Sequence, residues 1–250
     1  MESDRFICGN CNEEQSLDFD FTMAFQPILN CRSGEIFGYE ALVRGLNNES
    51  AYSIISRVNE DNRYTFDQLC RIKAIELAAR LELDSMLSIN FLPNAVYKPE
   101  RCIMTTLEAA KRTGFPTEQI MFEFTEGEKI EDSAHVKRIV EYYNAMGFRT
   151  AIDDFGAGYA GLGLLSDFQT DIVKIDMALI RNIDQDKARQ TIVKHSINML
   201  VELGITPLAE GIETREEMYW LKEAGVELMQ GYLIGKPGFE SLPCVNFEDL

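Results

Sequence analysis

No run of apolar residues in this 250-residue chain is long enough to cross a bilayer as a helix. Its start, MESDRFICGNCNEEQ, lacks the basic and apolar regions of a secretion signal, so a cytoplasmic address is the default expectation. Basic residues are in short supply: 24 Lys and Arg stand against 41 Asp and Glu, for a formal net charge of −17. A surface of that sign repels nucleic acid and anionic lipid, which argues against a general DNA- or membrane-binding role. There are only two histidines, and neither lies near Cys8-Gly9-Asn10-Cys11, so that pair lacks the partners of a zinc site. The pair reads instead as two thiols in a mobile polar tail. The six cysteines are scattered, and in a reducing compartment they suit buried small hydrophobes or free thiols better than a disulfide framework. No internal repeat, low-complexity tract or long linker is present.

What is present is ordinary globular composition, 46% hydrophobic and 26% charged, at a length that suits one large domain or two small ones. Residues 1–20 are polar and acidic and are expected to form a leader outside the core, leaving 21–250 as the folded domain. Apolar runs suited to strands fall at 23–29, 36–43, 86–92, 120–125, 149–153, 172–175, 205–209 and 228–233. Helical periodicity occupies 66–81, 101–113, 133–146, 187–203 and 215–224, and Gly114, Gly147, Gly204 and Gly225 fit left-handed caps at the ends of four of these helices. Thr214 followed by Glu217 has the spacing of a capping box. Strand–helix alternation along the whole chain predicts a mainly parallel sheet, and about eight strands in this length favour a closed (β/α)8 barrel. A doubly wound sheet is the runner-up, weakened because no G-x-G-x-x-G follows the first strand.

In such a barrel the C-terminal ends of the strands share one mouth. Here those ends carry Glu40 and Arg44, Asn90, Glu123 and Glu126, Asp153 and Asp154, Lys174 and Asp176, Glu210 and Glu213, and Gln230. Any one of them alone reads as a solvated loop residue. Several, however, sit inside apolar strands, as in Met121-Phe122-Glu123-Phe124, and a buried ionised carboxylate costs several kcal/mol unless it is paired or metal-bound. One lysine and one arginine do not balance so many acids, so cations are the simplest counter-charge. The donors are all oxygen, a hard set suited to magnesium, manganese or calcium. Adjacent aspartates can serve two ions, and two ions can clamp a phosphate and activate water. Lys174 can orient or deprotonate that water, or stabilise charge on phosphorus, and Arg44 offers a fork for a phosphate. Asp154-Phe155-Gly156 invites a kinase reading, but the glycine-rich loop, V-A-I-K and H-R-D motifs are missing. The glycines at 156 and 158 suit either a mobile loop or a tight turn.

These residues resemble a known family. Tyr39-Glu40-Ala41-Leu42-Val43-Arg44 is similar to the signature of EAL domains, the cyclic di-GMP phosphodiesterases. Gln26-Pro27-Ile28, Ser88-Ile89-Asn90, Glu123-Phe124-Thr125-Glu126, Asp153-Asp154-Phe155-Gly156-Ala157-Gly158-Tyr159, Val173-Lys174-Ile175-Asp176, Ala209-Glu210-Gly211-Ile212-Glu213-Thr214 and Gln230-Gly231-Tyr232 follow in the family's order, over roughly residues 21–237. The resemblance implies a (β/α)8 barrel with its first strand antiparallel, and hydrolysis of one phosphodiester bond of cyclic di-GMP to linear pGpG. It also implies two divalent cations, Mg2+ or Mn2+, and leaves open whether Ca2+ inhibits. Carried over by residue, Glu40, Asn90, Glu123 and Asp153 would hold one ion. Asp153 would bridge to a second, completed by Asp154 and, directly or through water, by Glu210. Lys174 would position the water, Glu126 would tether the loop at 154–159, and Glu213 would support the ligands from behind. Gln26, Arg44, Asp176 and Gln230 would contact substrate. Pairing near the 154–159 loop implies a homodimer, with regulation through dimerisation, expression or a partner protein.

The segment 45–64 departs from the common pattern, lacking its Trp and its Pro-rich stretch. With Phe66-Asp67-Gln68 it is more similar to the EAL domain of blue-light-regulated phosphodiesterases that carry a flavin-binding BLUF domain, a photosensor for which this chain has no room. Two other functions compete with the enzyme: a non-catalytic cyclic di-GMP receptor or interaction module, and a phosphodiesterase for another cyclic dinucleotide. The full ligand set together with Lys174 favours the enzyme.

Overall fold

The computed structural model describes residues 17–96, 98–125, 132–157 and 161–245. Cys8, Cys11, Glu126, Gly158 and Tyr159 therefore lie outside the described residues. Strands β1 (Thr22–Asn30), β2 (Glu35–Arg44), β3 (Met86–Asn90), β4 (Ile120–Thr125), β5 (Arg149–Phe155), β6 (Ile172–Ile175), β7 (Thr206–Ala209) and β8 (Leu228–Gln230) match the eight apolar runs. The main helices are α2 (Arg63–Arg80), α4 (Met104–Thr113), α5 (Ser133–Ala145), α8 (Lys187–Glu202) and α9 (Arg215–Glu223). Four short helices, α1 (Ala51–Ile55), α3 (Pro99–Cys102), α6 (Gly161–Asp167) and α7 (Met177–Ile180), and a two-residue strand β9 (Gly238–Phe239) complete the order.

The local sequence explains why the first strand is reversed. The Asn30 side chain accepts the backbone N–H groups of Arg32 and Ser33 at 3.0 and 3.1 Å, and Gly34 takes φ +73°, a value that costs glycine little. The chain therefore turns back at once, and β1 pairs antiparallel with β2 from Thr22↔Arg44 to Asn30↔Glu35. The pairs from β2–β3 through β7–β8 are parallel, and β8 returns to β1, which closes the barrel. β9 extends the far edge of β1 beside Ala24 and Phe25. Gly38 sits opposite Met86 in the β2–β3 register, where an added Cβ would lie 2.3 Å from the Met86 carbonyl oxygen; only glycine permits that approach.

Side chains alternate across each strand, so the wall has an inner and an outer face. The lower inner layer is an apolar plug of Ile28, Met86, Met121, Ala151, Ile172, Leu208 and Leu228. Two residues further along the same strands toward the mouth stand Gln26 (reached in reverse on β1), Ser88, Glu123, Asp153, Lys174, Glu210 and Gln230. The polar layer is thus stacked directly on a dry floor. The outer faces pack against the helices in a large aromatic-rich cluster that includes Phe91, Phe122, Phe124 and Tyr143. Apolar packing extends ahead of residue 21. Phe19 is buried against Phe21 and Phe66, and Asp20 pairs with Lys73 at 2.8 Å, because an aromatic residue three positions ahead of β1 finds an apolar seat on α2.

Candidate active site

Lys174 of β6 has no exposed surface and lies among four carboxylates: Glu123 at 2.7 Å, Glu210 at 2.8 Å, Asp153 at 3.2 Å and Glu40 at 3.5 Å. Burial alone would push its ammonium down, but Asp153, Glu123, Glu210 and Glu40 outweigh that and hold it well above the usual lysine range. One ammonium cannot neutralise four acids. Burial, followed by the repulsion of Glu40 and Asp153, raises Glu123 to about 8 against the pull of Lys174. Glu210 is raised well above the carboxylate range by the same burial.

Next to this group, the Asn90 amide donates to Glu40 Oε1 at 2.9 Å, and the Gln230 amide donates to Glu40 Oε2 at 2.7 Å. Asp153 accepts the Asp154 N–H at 2.8 Å, and Asp154 itself has φ +56°, a strained setting for a side chain with a Cβ. Burial and the neighbouring Asp153 and Asp176 raise Asp154 to about 6. Two sets of oxygens converge, Glu40 with Glu123 and Asp153, and Asp153 with Asp154 and Glu210, the oxygens of each set lying within 4.8 Å of one another.

The donor set fits divalent cations. It consists of carboxylate and amide oxygens, its charge exceeds what Lys174 balances, and both Glu123 Oε1 and Gln230 Oε1 are buried with no hydrogen-bond partner among the described residues. An orphaned carboxylate oxygen at the centre of an acidic cluster is a feature a cation would satisfy. A cleft of about 280 Å³ opens over the second set and is lined by Gln26, Glu40, Asp154, Asp176, Glu210 and Gln230, among others.

The other residues singled out from the sequence are placed less uniformly. Gln26 faces this cleft, its amide donating to the Gly235 carbonyl at 3.1 Å. Asp176 caps α7 by accepting the Ala178 N–H at 2.8 Å. Glu213 lines the rim of the same cleft with its side chain 49% exposed and paired with Arg181 at 2.7 Å. Arg44 turns back on its own strand and donates to the Val43 carbonyl at 2.7 Å. Glu126 is outside the described residues. Sequence reasoning missed the full part played by Glu217. Beyond the capping box with Thr214, its buried carboxylate accepts the N–H of Glu213 at 3.0 Å and of Asn182 at 2.8 Å, tying the loop after β7 to the end of α7. The capping-box spacing marked the residue; nothing local marked its reach to Asn182.

The EAL domain model matches residues 13–237. The blue light- and temperature-regulated antirepressor BluF of Escherichia coli is 35% identical over 227 residues, which cover 90% of this chain and 56% of BluF. The chain thus spans about half the length of that curated relative. Other Escherichia coli relatives are named probable cyclic di-GMP phosphodiesterases. A standalone versatile EAL protein from Vibrio cholerae O395, solved with c-di-GMP bound, superposes with a TM-score of 0.91 at 72% identity, covering 94% of this chain and 99% of that one. A manganese and cyclic di-GMP complex of Klebsiella pneumoniae BlrP1 gives 0.83 at 33% identity, covering 90% of this chain and 58% of that one. On a match that runs over most of its length, the chain belongs to the EAL domain family.

Proposed function

We propose that this protein is a metal-dependent phosphodiesterase that hydrolyses one phosphodiester bond of cyclic di-GMP to give linear pGpG. The observation that carries the reading is the buried acidic cluster around Lys174, with its unpartnered Glu123 Oε1. Glu40, Asn90, Glu123 and Asp153 would hold one Mg2+ or Mn2+, and Asp153, Asp154 and Glu210 a second. When bound, the ions supply neutralisation of the phosphodiester and a water acidic enough to ionise near neutral pH.

The protein's own residues do the rest. Lys174 Nζ, set within 3.5 Å of four candidate ligand carboxylates, would orient an attacking oxygen or stabilise charge on phosphorus. Asn90 and Gln230 fix the two oxygens of Glu40 by one donated hydrogen bond each, so the carboxylate is oriented before substrate arrives. The apolar plug below the site excludes water from that side. Gln26 and Asp176 line the cleft where substrate would lie. We place the protein in the cytoplasm as a homodimer paired near the 154–159 loop.

Purified protein supplied with Mg2+ or Mn2+ is expected to convert cyclic di-GMP to pGpG, followed by chromatography of the nucleotides. Asp153→Ala should lose about 100-fold or more in turnover. Tight binding of cyclic di-GMP with no turnover under either metal would make the protein a receptor, and unchanged turnover in Asp153→Ala would end the two-ion assignment.

A further inference from the structure

Asp67 and Arg71 form a buried ion pair that the proposed chemistry does not use. They sit one turn apart on α2, with side chains 1% and 0% exposed, joined at 2.6 Å. The pair lies in the layer between the helices and the barrel wall. Its contacts run toward two strand ends. Asp67 Oδ1 accepts the backbone N–H of Leu92 at 2.9 Å, two residues beyond Asn90. The Arg71 guanidinium lies 5.4 Å from the ring centre of Phe91 and 5.2 Å from that of Phe122. Phe91 follows Asn90 and Phe122 precedes Glu123, so each ring is the outward-facing neighbour of an inward-facing candidate ligand. Arg71 also donates to the Tyr143 hydroxyl at 3.0 Å, and Tyr143 packs on both rings. The Phe91 N–H donates to the Glu123 carbonyl at 2.9 Å, which locks the two ends together.

A buried ion pair is a poor device for stability, because a well-packed apolar replacement is often no worse. This one is not even fully satisfied: Arg71 Nε is buried without a hydrogen-bond partner among the described residues. What the pair supplies that an apolar pair cannot is a directional hold on the Leu92 backbone and on two aromatic rings. We infer that Asp67 and Arg71 are positioning residues for the ion site, holding the ends of β3 and β4 where Asn90 and Glu123 meet Glu40. The inference rests on the metal-dependent reading proposed above. Residues behind metal ligands commonly govern metal affinity or activity by about 10–100-fold.

The test is the double variant Asp67→Leu with Arg71→Met, which removes both charges together and leaves neither stranded. Mn2+ binding is read from the free-ion signal in an electron paramagnetic resonance titration, alongside the thermal midpoint and steady-state kinetics. Mn2+ affinity and kcat should each fall about tenfold or more, with KM within about threefold and the thermal midpoint little changed. A folded double variant with unchanged Mn2+ affinity and kcat overturns the inference, and so does a loss of affinity that merely follows a loss of stability. Should the variant not fold, the unmodified protein decides. By reciprocity of coupling, saturating Mg2+ must slow hydrogen exchange at the Leu92 amide severalfold, and an unaffected amide overturns the inference. Failure of the unmodified protein to bind Mn2+ or turn over substrate overturns the phosphodiesterase reading and this inference with it. Normal binding and turnover beside an unaffected double variant overturns the inference alone.

Discussion

Glu123 combines full burial, one unpartnered oxygen and a raised pKa, and the three have a common consequence for stability without metal. Its folded value of about 8 lies above its ordinary 4.5. The folded state therefore keeps a proton that the unfolded chain releases, and the contribution of Glu123 to stability is fully present below pH 4.5 and is lost as pH rises toward 8. Asp154 adds a decline between 3.8 and about 6. In metal-free protein the thermal midpoint should fall from pH 5 to pH 8, with a shallower fall in Glu123→Gln, by calorimetry; equal slopes would show that the buried acid is not the source. Protons and cations compete for these oxygens, so the thermal gain from added Mn2+ should grow over the same window. The acids of this cluster were legible in the sequence because charge inside an apolar strand is anomalous. Asp67 and Arg71 were not, since an i, i+4 acid–base pair on a helix has the same spacing whether it faces solvent or core. Arg44 and Glu213 were placed at the right end of the barrel, but periodicity says nothing of where a long side chain turns once it leaves the strand.

The strands were readable as apolar runs, and the long helices because each has several periods of pattern, four of them closed by a glycine. Gly114, Gly147, Gly204 and Gly225 all take positive φ. Elements of four or five residues, such as α1, α3 and α7, complete too little of a helical period to register, and β9 has only two residues, held by pairing with β1. Loops escape local patterns for a further reason: their order comes from distant partners. The loop after β7 carries Glu210 into the site and is tied down by Glu217. Replacing Glu217 with Ala removes the cap and strands several backbone donors, at a cost of about 1–3 kcal/mol. Glu217→Gln, which keeps an acceptor oxygen, should lose less. Chemical denaturation measures both, and equal losses would show that side-chain volume, not hydrogen bonding, is what matters there.

The whole molecule carries a formal net charge of −17, so each copy repels a second copy as well as an anionic substrate. Among the described residues no helix is long and apolar enough to cross a membrane. Homodimerisation, as proposed, has to overcome like-charge repulsion that salt screens over a Debye length of about 8 Å at physiological ionic strength. Light scattering at micromolar concentration should therefore show a dimer whose fraction rises from low to physiological salt. A monomer throughout would rule the pairing out, and a dimer that weakens with salt would mean the interface is held by opposite charges instead.

The hairpin that reverses β1 also decides where anything joined ahead of it would emerge. Thr22 lies opposite Arg44, at the end of β2 that faces the mouth, so the chain enters the barrel from the face that carries the carboxylates. In a barrel whose strands are all parallel, an upstream fusion would hang from the opposite face. Here the chain that leads into β1 approaches from the mouth face instead, the face a module joined upstream of β1 would share. For anyone building a biosensor from this scaffold, a module joined ahead of β1 and one joined beyond β8 would therefore not sit on the opposite faces that an all-parallel barrel would give them.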